Sequence, residues 1–211
     1  MKTTISLLFA LFLPFASAVH AQSAASQSPE DMVRQITNDV LEAIQGDKAL
    51  QAGDKQKALA LAEQKVLPHL DFTEMTRLAA GRTWNTATAE QKERLVSAFR
   101  AMLVRTYANA IDVYRGQTMT VEPSRVPATA TEATVRNRYS SPGRRPTPVD
   151  YLMRKAPGAS GWKIYDIIVD GISLVLTYRS QFEESARASG IEGLIKQLQE
   201  KTQPALRSKG A

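Results

Sequence analysis

Residues 118–169 read TMTVEPSRVPATATEATVRNRYSSPGRRPTPVDYLMRKAPGASGWKIYDIIV, and this stretch decides the fold. It holds four short β-rich runs, at 118–122, 133–140, 149–155 and 162–169. Turn signals separate them: Pro123, then Ser141-Pro142-Gly143, then the PGASG of 157–161. Strands joined by connections this short pair as an antiparallel meander. Strict alternation puts Val149, Tyr151 and Met153 on one face, with Asp150, Leu152 and Arg154 on the other. In the last run Tyr165, Ile167 and Val169 oppose Ile164 and Ile168. Both faces of that run are apolar, which predicts a central strand.

Upstream of this stretch the apolar period is helical. Ser28-Pro29-Glu30-Asp31 is a helix start, with Ser28 as N-cap, and Met32, Ile36, Val40 and Ile44 recur at helical spacing up to Gly46. A second helix is expected over 54–67, halted by Pro68, and a short third over 71–80. The clearest helix runs over 89–115, opened by a Thr88–Gln91 capping box and stopped by Gly116. Its stripe is broad, including Leu95, Phe99, Met102, Leu103 and Val113, so much of its circumference is covered. Downstream, ISLVLTY (172–178) fits either a strand after an Asp170-Gly171 turn or a helix. The spacing of Leu174, Val175, Tyr178, Phe182 and Ala186 favours a helix over 173–188. Gly190 breaks it, and a last amphipathic helix covers 191–202. Helices first and strands later, in one chain of 211 residues, predict α+β packing in one domain.

The first residues read as an address. Lys2 precedes an apolar run at 5–15 that is too short to span a bilayer, and small residues lead to Ala21. The expectation is a signal peptide over 1–21 cleaved after Ala21, with Ala18 as the second choice. A flexible lead follows at 22–28, then a single domain at 29–202 and a flexible tail at 203–211. A basic, cysteine-free, exported chain fits a bacterial periplasm.

Composition removes several chemistries. There is no cysteine, which excludes disulfides, thiolate metal sites, a cysteine nucleophile and a lipidated N-terminal anchor. Of two histidines, His20 lies in the expected leader, so no metal site is expected. A net charge of +6 is too mild to mark a nucleic-acid protein. No Gly-rich phosphate loop occurs, and no cofactor is expected. Ser160-Gly161-Trp162-Lys163 matches S-x-x-K on paper, but the serine sits in a Gly-rich turn without the partner motifs. Arg136, Arg138, Arg144, Arg145, Arg154 and Lys155 form a basic cluster, read as a solvated face or as a docking surface for anionic headgroups or acidic partners.

Several ordered segments together resemble one family. These are Val66-Leu67-Pro68-His69-Leu70-Asp71-Phe72, then Trp84 to Gln91, Phe99 to Leu103 with Tyr107, Tyr114-Arg115-Gly116-Gln117, Trp162 to Leu174, Tyr178 to Phe182, and Gly190 to Ile195. They resemble the MlaC, or toluene-tolerance Ttg2, family over roughly 30–202, while 123–148 match poorly. The resemblance implies an NTF2-like α+β fold: helices packed on a curved antiparallel four-stranded sheet that encloses an apolar pocket. It implies a periplasmic carrier rather than an enzyme, one that holds the acyl chains of a diacyl phospholipid. The implied partners are an inner-membrane MCE-domain protein of an ABC transporter and an outer-membrane lipoprotein–porin complex. Maintenance of outer-membrane lipid asymmetry is the implied role.

The residues expected to wall the pocket, read from the helix–sheet interlayer, are Leu67, Leu70, Phe72, Phe99, Leu103, Tyr107, Tyr139, Tyr151, Met153, Tyr165, Ile167, Val169, Ile172 and Val175. On that placement Ile172→Glu abolishes lipid co-purification. Three alternatives stay open: a carrier of another lipid such as a hopanoid, an adaptor with a filled core, and an NTF2-like isomerase using Asp166 with Tyr165 or Tyr151.

Overall fold

The structure is a computed structural model and describes residues 27–108, 116–155 and 161–202. The expected leader, the expected continuation of the long helix over 109–115, residues 157–160 of the expected turn, Ser160 among them, and the expected tail at 203–211 lie outside the described residues.

Caps written in the sequence set most of the helix starts. In α1 (Pro29–Gly46) the Asp31 amide donates to Ser28 Oγ at 3.1 Å. Asp47 ends α1 and accepts from Ala49 and Leu50 to start the short α2 (Lys48–Gln51). Asp54 caps α3 (Lys55–Lys65). That helix stops two residues before the expected Leu67, because Leu67–His69 tighten into a 3-10 turn around Pro68. Asp71 caps α4 (Phe72–Ala80), accepting from the Glu74 amide at 2.9 Å. A five-residue α5 (Arg82–Thr86) follows. α6 (Ala89–Ala108) carries the reciprocal capping box, Gln91 N–H to Thr88 Oγ1 at 3.2 Å and Thr88 N–H to Gln91 Oε1 at 3.0 Å.

The strands are β1 (Thr118–Val121), β2 (Glu132–Ser140), β3 (Thr147–Lys155), β4 (Trp162–Val169) and β5 (Ile172–Ser173). They form one antiparallel sheet in the order β1-β2-β3-β4-β5. The sheet therefore has five strands where four were expected. Asp170 (φ 51) and Gly171 (φ 81) make a two-residue turn with both φ positive, which returns Ile172 opposite Val169. Both readings of 172–178 thus hold in part: two residues of strand, then helix from Leu174.

The central strand is β3, not β4. β4 is apolar on both sides because α4 and α7 pack against it, as well as the sheet core. A register shift at Leu152/Met153 also breaks strict alternation in this pair. Met153 pairs with Ile164 and Tyr151 with Ile167, so Ile164 and Ile167 come to the same side instead of opposing each other.

α7 (Leu174–Thr202) contains a kink at Gly190, whose φ of 67 and ψ of −175 no helix accommodates. The two arms pass α6 in opposite senses. Tyr178 and Phe182 of the first arm meet Phe99 edge-on, at 5.3 and 5.0 Å between ring centroids. In the second arm Glu192 pairs with Arg94 at 2.9 Å, and the Thr202 carbonyl accepts from Arg105 at 2.5 Å.

Two apolar cores result. One is helical and joins α4, α6 and α7 through Met75, Leu95, Phe99, Leu103, Val175, Phe182 and Ile195. The other joins the start of α1 to the sheet through Met32, Val33, Val135, Met153, Trp162 and Ile164. Leu70 touches both, and its bridge to Ile164 threads the α3–α4 connection along β4.

Candidate functional site

Past Ile36, which packs against the sheet core, and Thr37, which reaches Met119 on β1, α1 stands off the sheet. Ile36, Val40 and Ile44, with Thr37 and Leu41, face a cavity of about 420 Å³. α3 and the residues after it supply Ala58, Leu61, Ala62 and Val66 as a second wall. The sheet supplies Met119, Tyr139, Tyr151, Ile164 and Ile167 as the floor, with Gln117 and Thr118 where β1 begins. Among the described residues, no side chain lining this cavity is charged. Two of its hydroxyls share a weak partner: Tyr151 OH and Thr37 Oγ1 both donate to the Met119 thioether, at 3.5 and 3.7 Å. Burial pushes the Tyr151 phenol up to about 12. A hollow of this size, lined mainly by apolar side chains, accepts apolar matter.

A larger hollow of about 1130 Å³ lies between α3 and α6. It is an open groove of mixed charge, with Lys55, Lys92, Arg100 and Arg105 beside Glu63 and Glu93, and Trp84 and Leu67 on its walls. Its charged lining makes it the poorer place for hydrocarbon.

Of the expected pocket residues, Leu70, Tyr139, Tyr151 and Ile167 line the apolar cavity. Met153 lies in the sheet core beside Ile164. Phe99, Leu103 and Val175 are buried in the helical core, and Phe72 packs against it. Leu67 faces the charged groove. Tyr165 is half-buried next to the register shift, and burial raises its pKa. Tyr107 is 46% exposed near the end of α6. Val169 and Ile172 are 45% and 67% exposed at the β4–β5 turn. Ile172 therefore stands outside the cavity, and a test of the cavity belongs at Ile36 or Val40 instead.

For the residues of α6 the difference has one cause. The broad stripe of α6 was expected to face the sheet, whereas it faces α4 and α7. The helix that covers the cavity side of the sheet is α1. Its stripe of Ile36, Val40 and Ile44 was legible in the sequence but was not connected to the pocket.

The remaining chemical candidates have structural partners. Asp166 is 4% exposed and accepts from the Ile167 and Val175 amides at 2.8 and 3.1 Å and from Ser173 Oγ at 2.5 Å. It caps the start of α7 rather than facing the cavity with a tyrosine. His69 is held below its ordinary value, first by burial and then by the charge of Lys163. Arg154 leaves the basic cluster: it donates to Asp71 at 2.8 and 3.0 Å and pairs with Glu74 at 3.0 Å, tying β3 to α4. Arg138 pairs with Glu122 at 2.5 Å. Lys155 donates to the Ala128 carbonyl at 3.2 Å and lies 5.1 Å over the Trp162 ring. Among the described residues no cluster of acidic or imidazole side chains has the makings of a metal site, and no helix is long and apolar enough to cross a membrane.

The same chain plan occurs in known proteins. The chain is 27% identical over 188 residues to toluene tolerance protein ttg2D of Pseudomonas putida, covering 88% of this chain and 86% of that one. It is 22% identical over 190 residues to the intermembrane phospholipid transport system binding protein MlaC of Haemophilus influenzae, covering 90% and 89%. A solved phospholipid-binding protein from Ralstonia solanacearum, in complex with a phospholipid, superposes with a TM-score of 0.74 at 37% identity, over 83% of this chain and 97% of that one. A family model described as MlaC protein matches residues 34–200, which include both walls and the floor of the cavity, and the chain belongs to that family.

Proposed function

We propose that this protein is a periplasmic phospholipid carrier, with the acyl chains held in the cavity between α1, α3 and the sheet. The uncharged cavity is the observation that carries the reading. The lipid-bound relative, at 37% identity and a TM-score of 0.74, supports it. The two chains of a diacyl lipid bear about 30 methylenes, and exposing them to water costs about 25 kcal/mol. A soluble shuttle must therefore shield them throughout transit. A bilayer shields them equally well, so loading and unloading are close to balanced and need no chemistry in the carrier. The absence of any charged group from the cavity lining fits binding rather than catalysis.

In this reading the carrier exchanges lipid with the MCE-domain protein of an inner-membrane ABC transporter and with an outer-membrane lipoprotein–porin complex. That exchange would maintain lipid asymmetry, and its energy comes from the transporter. Membership of the MlaC family is the support for this part. The resemblance of 1–21 to a signal peptide supports export.

The test is native mass spectrometry of the purified protein, followed by organic extraction of what it carries. A diacyl phospholipid supports the reading, whereas a polycyclic lipid or an empty protein contradicts it. Cell fractionation with N-terminal sequencing tests export, with Gln22 expected as the first residue of a periplasmic protein.

A further inference from the structure

The cavity lining is polar at one end only. Among the described residues, its polar members are Thr37, Gln117, Thr118, Tyr139 and Tyr151. All five gather around Met119. Gln117 and Thr118 stand where β1 begins, Tyr139 pairs with Met119 across β1 and β2, and Thr37 and Tyr151 both reach the Met119 sulfur. The walls from α3 and β4 carry only apolar side chains. Thr118 is exposed and Tyr139 is 38% exposed, so the polar end is also where the cavity meets the surface.

Two of these groups are donors spent on a weak acceptor. Tyr151 OH comes from the sheet floor and Thr37 Oγ1 from the α1 wall, and they meet on one thioether at 3.5 and 3.7 Å. Thr37 also interrupts an apolar stripe, since Val33, Ile36, Val40 and Ile44 line the cavity beside it. A helical threonine commonly turns its hydroxyl back to the carbonyl four residues earlier. Thr76 and Thr177 do so here, at 2.6 and 2.7 Å. Thr37 instead donates across the polar end of the cavity to Met119.

We propose that Thr37 and Tyr151 hold the two ester carbonyls of the lipid's glycerol backbone, which makes this protein selective for acyl esters over alkyl ethers. A phospholipid headgroup belongs in water and its chains belong at the apolar end, so the esters between them fall at the level of Met119. Two donors that meet on one atom are close enough to serve two acceptors carried on neighbouring carbons. Each hydroxyl exchanges a thioether for a carbonyl oxygen and gains by it. An ether lipid has a methylene in place of each carbonyl and offers no such exchange. This rests on the phospholipid-carrier reading above and adds a chemical selectivity to it.

The experiment offers the delipidated protein equal amounts of dipalmitoyl-phosphatidylglycerol and its dihexadecyl-ether analogue in the same vesicles, and reads both occupancies by native mass spectrometry. Headgroup and chain length are common to the two, so the occupancy ratio reports the carbonyls. The wild-type protein is expected to take the ester about ten-fold more often. Tyr151→Phe keeps the ring, Thr37→Val keeps the shape, and each removes one donor. Each is expected to cut the preference to about three-fold, and the double variant to take the two lipids about equally. No preference in the wild-type protein, or an undiminished one in the double variant, overturns the assignment and leaves the carrier reading standing. Equal loss of both lipids in the single variants makes the two hydroxyls structural and also overturns it. A wild-type protein that takes neither lipid overturns both readings.

Discussion

The two halves of the molecule use the same kind of side chain to opposite ends. In the helical half, α6 is gripped by α4 and both arms of α7, and Phe99, Leu95 and Ile195 have no exposed surface. In the sheet half, α1 packs on the sheet core through Met32, Val33 and Ile36, and from Ile36 onward its stripe also lines a hollow. Apolar composition does not separate the two. What separates them is whether the facing surfaces interlock, and the charge-tied Arg154–Asp71–Glu74 contact holds the halves together at the seam. A domain that keeps one half solid can leave the other half open.

Truncations break this comparison most directly. Phe99→Ala empties a filled site and is expected to cost about 4 kcal/mol, read as a lower urea midpoint at unchanged slope. Asp166→Ala leaves two amides and a hydroxyl at the start of α7 without their acceptor, for a loss of about 2 kcal/mol by the same measurement. Val40→Ala removes a side chain on the cavity wall that belongs to neither core, and about 1 kcal/mol is expected. A Val40 loss as large as that of Phe99 would mean that the sheet half is packed as tightly as the helical half.

The smallest effect is one of pH. Folding favours the neutral Tyr151 phenol, whose value rises from 10 to about 12. Its contribution is present in full below pH 10 and is lost as pH rises through about 12. Tyr151→Phe should flatten this alkaline fall relative to wild type in pH-dependent thermal melts. An identical fall in both proteins would remove Tyr151 as its source.

Local structure was largely legible from residues alone. Ser28, Asp54, Asp71 and the Thr88–Gln91 box announced four helix starts, and the turn residues announced the meander, because these signals act over a few neighbouring residues. The facing of the helices was not legible. A broad stripe on α6 says that the helix is covered, not by what, and the register shift in β3–β4 moved Ile164 without leaving a sequence mark. Four of the expected pocket residues line the cavity because they lie on the sheet floor or on the segment threaded along β4. Of the others, Phe99, Leu103 and Val175 followed α6 and α7 into the solid half, Phe72 packs there from α4, Met153 fills the sheet core, Leu67 faces the charged groove, and Tyr107, Val169 and Ile172 are exposed.

The two tryptophans test the central claim, since Trp162 lies in the sheet core beside Ile164 on the cavity floor and Trp84 lies on the wall of the charged groove. Loading Trp84→Phe and Trp162→Phe with a phospholipid brominated along its acyl chains reports contact with hydrocarbon as fluorescence quenching. Strong quenching of Trp162, with Trp84 unaffected, is the predicted result. Quenching of Trp84 alone would put the chains in the α3–α6 groove and contradict the account.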